Sequence, residues 1–295
     1  MAAFDGAWPA LVTPFSSEDK VNTMVLRNLA EFFVEKGAGG LYLCGSTGQG
    51  VFMSVGERKL VVETAMDQVQ GRIPVLVHVG SVALHDAVDL ARHAHQVGVD
   101  GISSIVPPLY RGTLGLRAYF DTLAASVPDL PFLPYLFGGP SDAVQLLREL
   151  TKIPNLAGTK YTGPNMYELN RIVELGNGQW SVFSGMDEQC LFAAMSGATG
   201  NIGSTLNVMI GVYQNMRDCI EQGNLTDALE LQLRANRVTS ALHAAGFVGA
   251  LREALLLLGF DCGKPRLPGL PLSPEQRGSL HQDLETAGFS ALAAM

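Results

Sequence analysis

The chain has 295 residues, of which 47% are hydrophobic and 16% charged, a balance that excludes intrinsic disorder as its resting state. Acidic residues outnumber basic ones by 28 to 20, for a net charge of −8, and no basic run is present. Such a chain neutralises few phosphates, so nucleic acid and anionic membrane are poor partners.

The N-terminal stretch MAAFDGAWPALVTPF lacks the basic region and cleavage site of a secretory signal. Eight strand candidates follow in order: Pro9–Thr13, Gly40–Cys44, Val75–Val79, Gly101–Val106, Phe132–Leu136, Leu156–Lys160, Ser181–Ser184 and Thr199–Gly203. Most are apolar throughout, as expected of parallel strands buried on both faces. Amphipathic stretches fill the gaps, among them Met24–Glu35, Val55–Val69, Asp86–Gln96 and Ser141–Thr151. Ser141 and Asp142 suit an N-cap, and Gly37 and Gly71 suit helix stops. Beyond Asn207 only helical patterns remain, at Val208–Gln222, Leu225–Ala245, Val248–Leu258 and Pro274–Ala287, with a Pro-rich extended run from Lys264 to Pro274. The apolar run Ser240–Phe260 is interrupted by His243, Arg252 and Glu253, which suits packed helices and not a membrane span.

Eight β-then-α units predict an α/β fold, a (β/α)₈ barrel over residues 1–222, carrying a C-terminal helical domain over 223–295; a doubly wound sheet gives a similar string. Cys44, Cys190, Cys219 and Cys262 are scattered without a CxxC pair, which speaks against zinc or a disulfide framework and for a cytoplasmic protein. His93 and His95 are two apart on a helix and face different ways, while His78, His85, His243 and His281 are isolated, so no metal is expected. The low charge fraction suggests apolar surface covered by other subunits.

In a barrel, chemistry collects at the C-terminal ends of the strands. Lys160 ends an apolar strand there. A buried ammonium is disfavoured, so this lysine suits an amine nucleophile, against the ordinary role of a strand-end lysine reaching solvent. Tyr135 closes the preceding strand, where its phenol can move a proton or simply make a structural hydrogen bond. Gly45-Ser46-Thr47-Gly48 offers hydroxyls and backbone N–H groups to a carboxylate, and lacks the spacing and lysine of a phosphate loop. Asp187 and Glu188 sit at a helix start, where they either complement its dipole or accept from sugar hydroxyls.

Taken together these strand-end residues resemble the family that contains N-acetylneuraminate lyase and dihydrodipicolinate synthase, from about Asp5 to at least Leu258. The resemblance implies a (β/α)₈ barrel with a helical C-terminal domain, usually a homotetramer, and a class I aldolase that needs no cofactor and binds pyruvate or a related 2-keto acid. It makes Lys160 the Schiff-base lysine and Tyr135 the proton-shuttling tyrosine, places Ser46 and Thr47 on the substrate carboxylate, and matches Tyr110 to a tyrosine that approaches a neighbouring subunit's site. Lys160-Tyr-Thr162, Gly185-Met-Asp-Glu188 and Gly200-Asn-Ile-Gly-Ser-Thr205 are similar to the lyase branch, which puts Thr162, Gly185, Asp187, Glu188 and Ser204 on a polyhydroxylated tail. Leu136-Phe-Gly-Gly-Pro140 lacks the arginine of the synthase branch. Gln49 in place of glutamate, Leu136 in place of asparagine and Leu206 in place of tyrosine depart from the family, and are expected to alter the pocket wall near the aldehyde. The alternatives are an aldolase or dehydratase of the 2-keto-3-deoxygluconate type, dihydrodipicolinate synthase, or a catalytically silent ligand-binding barrel.

Overall fold

The computed structural model describes residues 4–109, 112–137 and 142–295. Its strands are β1 (Gly6–Pro9), β2 (Leu41–Leu43), β3 (Val75–His78), β4 (Gly101–Ile105), β5 (Phe132–Phe137), β6 (Gly158–Thr162), β7 (Ser181–Ser184) and β8 (Gly200–Gly203). They pair in parallel in the ring order β1-β8-β7-β6-β5-β4-β3-β2. The Ala10–Tyr42 bridge then joins the first strand to the second, so the sheet is the expected α/β barrel.

Helices α1 (Thr23–Glu35), α2 (Val55–Val69), α3 (Leu84–Gln96), α4 (Thr113–Ala125), α5 (Ala143–Leu150), α6 (Met166–Gly176), α7 (Cys190–Met195) and α8 (Leu206–Glu221) alternate with the strands. After them come α9 (Leu225–Ala245), α10 (Phe247–Leu257), α11 (Pro274–Thr286) and α12 (Phe289–Ala293). Helix starts follow local chemistry. Ser54 and Glu57 form a reciprocal capping box on α2. Asp142 caps α5 by accepting from Gln145 N–H, one residue later than the predicted start at Ser141, which lies outside the described residues. Among the described residues no single helix is long and apolar enough to cross a membrane.

Two apolar layers position everything else. One fills the space between strands and helices, with Leu41, Leu43, Val75, Val77, Ile102, Phe132, Leu136 and Val182 pointing outward. The other plugs the barrel itself, where Trp8 meets Phe4 and Phe183 edge-to-face at 5.8 and 5.5 Å, beside Tyr42, Leu76, Leu133 and Ile202. The indole fits only because Gly40 has no side chain; a Cβ there would overlap its ring. The interior below the rim is therefore solid, and open chemistry is confined to the top.

The first strand differs from its expected place. Pro9–Thr13 is apolar, but pairing with β8 stops after the Ala10 N–H to Gly203 C=O bond. Beyond it the chain turns to the C-terminal segment: Arg252 Nη2 donates to Thr13 C=O, and Phe15 N–H donates to Cys262 C=O. Composition marked an extended run there, while tertiary partners decided which part of it is a barrel strand.

Candidate active site

Lys160 and Tyr135 are direct register partners on β6 and β5. Neither ends its strand as expected: β6 runs on to Thr162 and β5 to Phe137. Alternation along β6 explains why Lys160 points inward. Thr159 turns out and donates to Pro134 C=O at 2.8 Å, and Tyr161 turns out and donates to Glu168 Oε2 at 2.6 Å.

Lys160 is only 5% exposed. Its Nζ lies 4.3 Å from the centre of the Tyr135 ring and 4.6 Å from that of Tyr42. Burial between these rings strips water from the ammonium and lowers its pKa to about 7, with the charge of Asp187 acting in the opposite direction. A large fraction of this amine is thus neutral near physiological pH, which is the condition for attack on a carbonyl. Tyr42 was missed in the sequence; its signal was the one polar side chain in the apolar strand Leu41–Leu43.

Burial raises the pKa of the Tyr135 phenol, while the hydroxyls of Thr162 and Ser46 pull it back down. Two expected site residues thus act on the phenol of a third. Thr162 Oγ1 is buried and has no hydrogen-bond partner by geometry among the described residues. Thr47 Oγ1 and Ser204 Oγ are hydrogen-bonded at 2.6 Å, which ties the loop after β2 to the loop after β8 over the end of β1. Gly185 packs so closely that a Cβ would overlap Thr162 Oγ1 and approach Lys160 Cε to 3.0 Å.

Asp187 and Glu188 divide. Asp187 is buried in a 3₁₀ turn, Asp187–Gln189, and its Oδ2 accepts from Thr205 N–H and Thr205 Oγ1, both at 2.8 Å. Tyr213 OH continues the chain at 2.6 Å from Thr205 Oγ1. Burial raises the carboxyl pKa to about 6, and Oδ1 has no partner. One oxygen is held by Thr205 and the other is unpaired but enclosed against Gly203, a division that spacing could not reveal. Glu188 is half-buried, and its backbone carbonyl accepts from Asn236 Nδ2 at 3.1 Å.

His78 holds the floor of the rim. Its Nδ1 lies 3.1 Å from Cys44 C=O and its Nε2 accepts from Ile105 N–H at 3.0 Å, so the ring joins the loop after β2 to β4. Burial and the neighbouring Arg58 charge push its pKa well down and keep it neutral. Tyr110 lies outside the described residues.

The three departures from the family pattern are not on the pocket wall. Leu136 and Leu206 are in the layer between strands and helices, and the Gln49 carboxamide is engaged with Arg252 and Arg266. The expectation that they reshape the aldehyde end is corrected accordingly. A cleft of about 1110 Å³ lies between the β1–α1 loop, α10 and the Asp261–Leu272 segment, but none of the residues around Lys160 lines it. The site is marked by its chemistry and not by its size.

Residues 3–287 match the model of the Dihydrodipicolinate synthetase family. An N-acetylneuraminate lyase of Rhizobium meliloti (strain 1021) is 34% identical over 268 residues, 90% of this chain and 89% of that protein. The structure of Proteus mirabilis N-acetylneuraminate lyase aligns with a TM-score of 0.92 at 31% identity, covering 97% of this chain and 99% of that one. Dihydrodipicolinate synthase from Aquifex aeolicus gives 0.90 at 30% identity, covering 97% and 99%. Backbone likeness alone therefore does not separate lyase from synthase. By fold, by the buried lysine at its centre and by a match along nearly its whole length, the chain is a carbon–carbon lyase that belongs to the dihydrodipicolinate synthetase family.

Proposed function

We propose that the protein is a class I aldolase that cleaves a 2-keto-3-deoxy sugar acid to pyruvate and an aldehyde, with N-acetylneuraminate as its preferred substrate. The observation that carries this reading is the buried Lys160 amine, with its depressed pKa, beside the phenol of Tyr135. Relatives named as N-acetylneuraminate lyases support the choice of sugar acid.

The substrate carboxylate binds at Ser46 and Thr47, which brings its C2 ketone to Lys160. Neutral Nζ adds to C2. Tyr135, held protonated by burial, gives its proton to the carbinolamine oxygen, which leaves as water. The iminium that results is a cation facing two ring faces, which favour positive charge. It draws the C3–C4 bonding electrons into an enamine, while the Tyr135 phenolate takes the proton of the C4 hydroxyl and the aldehyde departs. That proton returns to C3, and water releases pyruvate and the free amine. Asp187 and Glu188 supply the carboxylates at the hydroxylated tail, with Ser204, Thr162 and Gly185 shaping the wall.

Exposed apolar side chains at Val51, Phe52, Val82 and Leu109 support subunit contacts near the rim, in a homotetramer. Four free thiols suit a cytoplasmic setting. The test is pyruvate release from a panel of 2-keto-3-deoxy acids. A buried acceptor left unpaired costs about 1–3 kcal/mol, so short substrates are disfavoured. The nine-carbon N-acetylneuraminate should show a higher kcat/KM than 2-keto-3-deoxygluconate, and Glu188→Ala should narrow the gap by raising KM for the long substrate. The reverse order removes the sugar assignment; no pyruvate from any member removes the aldolase.

A further inference from the structure

The loop that carries Ser46 and Thr47 is folded tightly onto itself. Gln49 N–H donates to Ser46 C=O at 3.0 Å and Gly50 N–H to Gly45 C=O at 3.1 Å. Cys44 and Gln49 both lie in the left-handed region, at φ 58° and 55°, and a Cβ on Gly50 would overlap the Cys44 carbonyl. A turn this tight moves as one body. Whatever anchors Gln49 therefore sets where the two hydroxyls stand.

The anchor comes from the far end of the chain. The Gln49 side chain, 3% exposed, accepts on Oε1 from Arg266 N–H at 3.0 Å and from Arg252 Nη2 at 3.2 Å. Its Nε2 donates to Arg266 C=O at 2.7 Å. Both partners are themselves fixed. Arg252 is buried on α10 and also donates to Thr13 and Cys262 carbonyls. The Arg266 guanidinium lies over the Phe15 ring at 4.3 Å and bonds Glu57 and Asp19, so it bridges α2 to the β1–α1 loop. The carboxamide thus links a substrate loop to the extended segment before α11, across 217 residues of sequence.

We infer that Gln49 is the positioning residue of the carboxylate loop, and that the C-terminal segment at Arg252 and Arg266 acts through it to set the affinity of the site for the keto-acid carboxylate. The inference rests on the proposed reading of Lys160 and Ser46. It predicts a change in binding and not in the chemical step, because the carboxylate is held equally in ground and transition states.

The experiment titrates pyruvate against the intact protein, with borohydride to trap the adduct, and measures KM and kcat for N-acetylneuraminate in parallel. Gln49→Ala should raise half-saturating pyruvate and KM about tenfold, a size reasonable for a small displacement of a binding loop, with kcat within about threefold. Gln49→Glu keeps the acceptor for Arg252 and for Arg266 N–H but loses the donor to Arg266 C=O, so half-saturation and KM should fall between those of Gln49→Ala and the starting protein, and values no better than those of Gln49→Ala would remove the role of the arginine contacts. A purely structural role predicts lower thermal stability with unchanged half-saturation. If the unaltered protein traps no pyruvate, the proposed function fails. If it traps pyruvate and Gln49→Ala does so at the same half-saturation, or loses kcat with KM unchanged, the positioning role fails. Should Gln49→Ala not fold, Gln49→Asn is read in the same way, since it tolerates the left-handed backbone but falls one methylene short.

Discussion

Two groups at the centre of the site carry opposite protonation demands, and burial meets both. It lowers the Lys160 pKa to about 7, so the amine is available, and raises that of Tyr135, so a proton is available. On the free protein, kcat/KM should therefore rise with pH through about 7 as Lys160 loses its proton, and fall again only at alkaline pH as the phenol ionises. A profile flat between pH 6 and 8 would contradict the assignment. Tyr135→Phe should lose about 10²–10⁴-fold in kcat, the usual range for a general acid–base group, and a loss under tenfold would assign the proton transfers elsewhere. The same burial has a cost in stability. Lys160 binds fewer protons folded than unfolded between about 7 and its ordinary 10.5, so this residue's penalty is complete below pH 7 and fades as pH rises through that window. Lys160→Met should accordingly raise the melting temperature most at pH 6 and least at pH 10.

At the scale of elements, the β5–β6 register sets Lys160 beside Tyr135 and the glycine after β7 leaves room for them. Gly185→Ala would drive a methyl group into Thr162 Oγ1 and against Lys160 Cε. Activity should fall at least about tenfold while the melting temperature changes by only a few degrees, because the crowding is local; near-normal kcat/KM would show that the loop can yield. These elements were largely legible in the sequence, since buried parallel strands are written as apolar runs and Val55–Val69 begins at its own capping box. Less legible was where side chains turn. The pattern puts Lys160 and Tyr135 at strand ends, whereas each lies two residues inside, because the last residues of these strands remain apolar or hydroxylic and give no signal of termination. Asp187 and Glu188 read as an equivalent pair, although Thr205 takes one oxygen of the first. Gln49 read as pocket wall because its partners, Arg252 and Arg266, are more than 200 residues distant.

Across the whole molecule, the proposed function depends on a barrel closed at one end and a C-terminal extension that returns to the open one. The Trp8 layer fills the interior, so substrate enters only from the rim where Lys160 stands. The segment from Asp261 to Leu272 passes back over the β1–α1 loop and is hydrogen-bonded to the loop after β2, which gives the extension a place in the site. Its helices were evident from periodicity; its reach into the rim was not, because long-range hydrogen bonds leave no periodic trace. All of this turns on one covalent step. Protein incubated with pyruvate, reduced with borohydride and digested should carry one reduced pyruvyl group, on the peptide that holds Lys160, and Lys160→Ala should carry none. An unmodified Lys160 at saturating pyruvate, or a label on another lysine, would contradict the account.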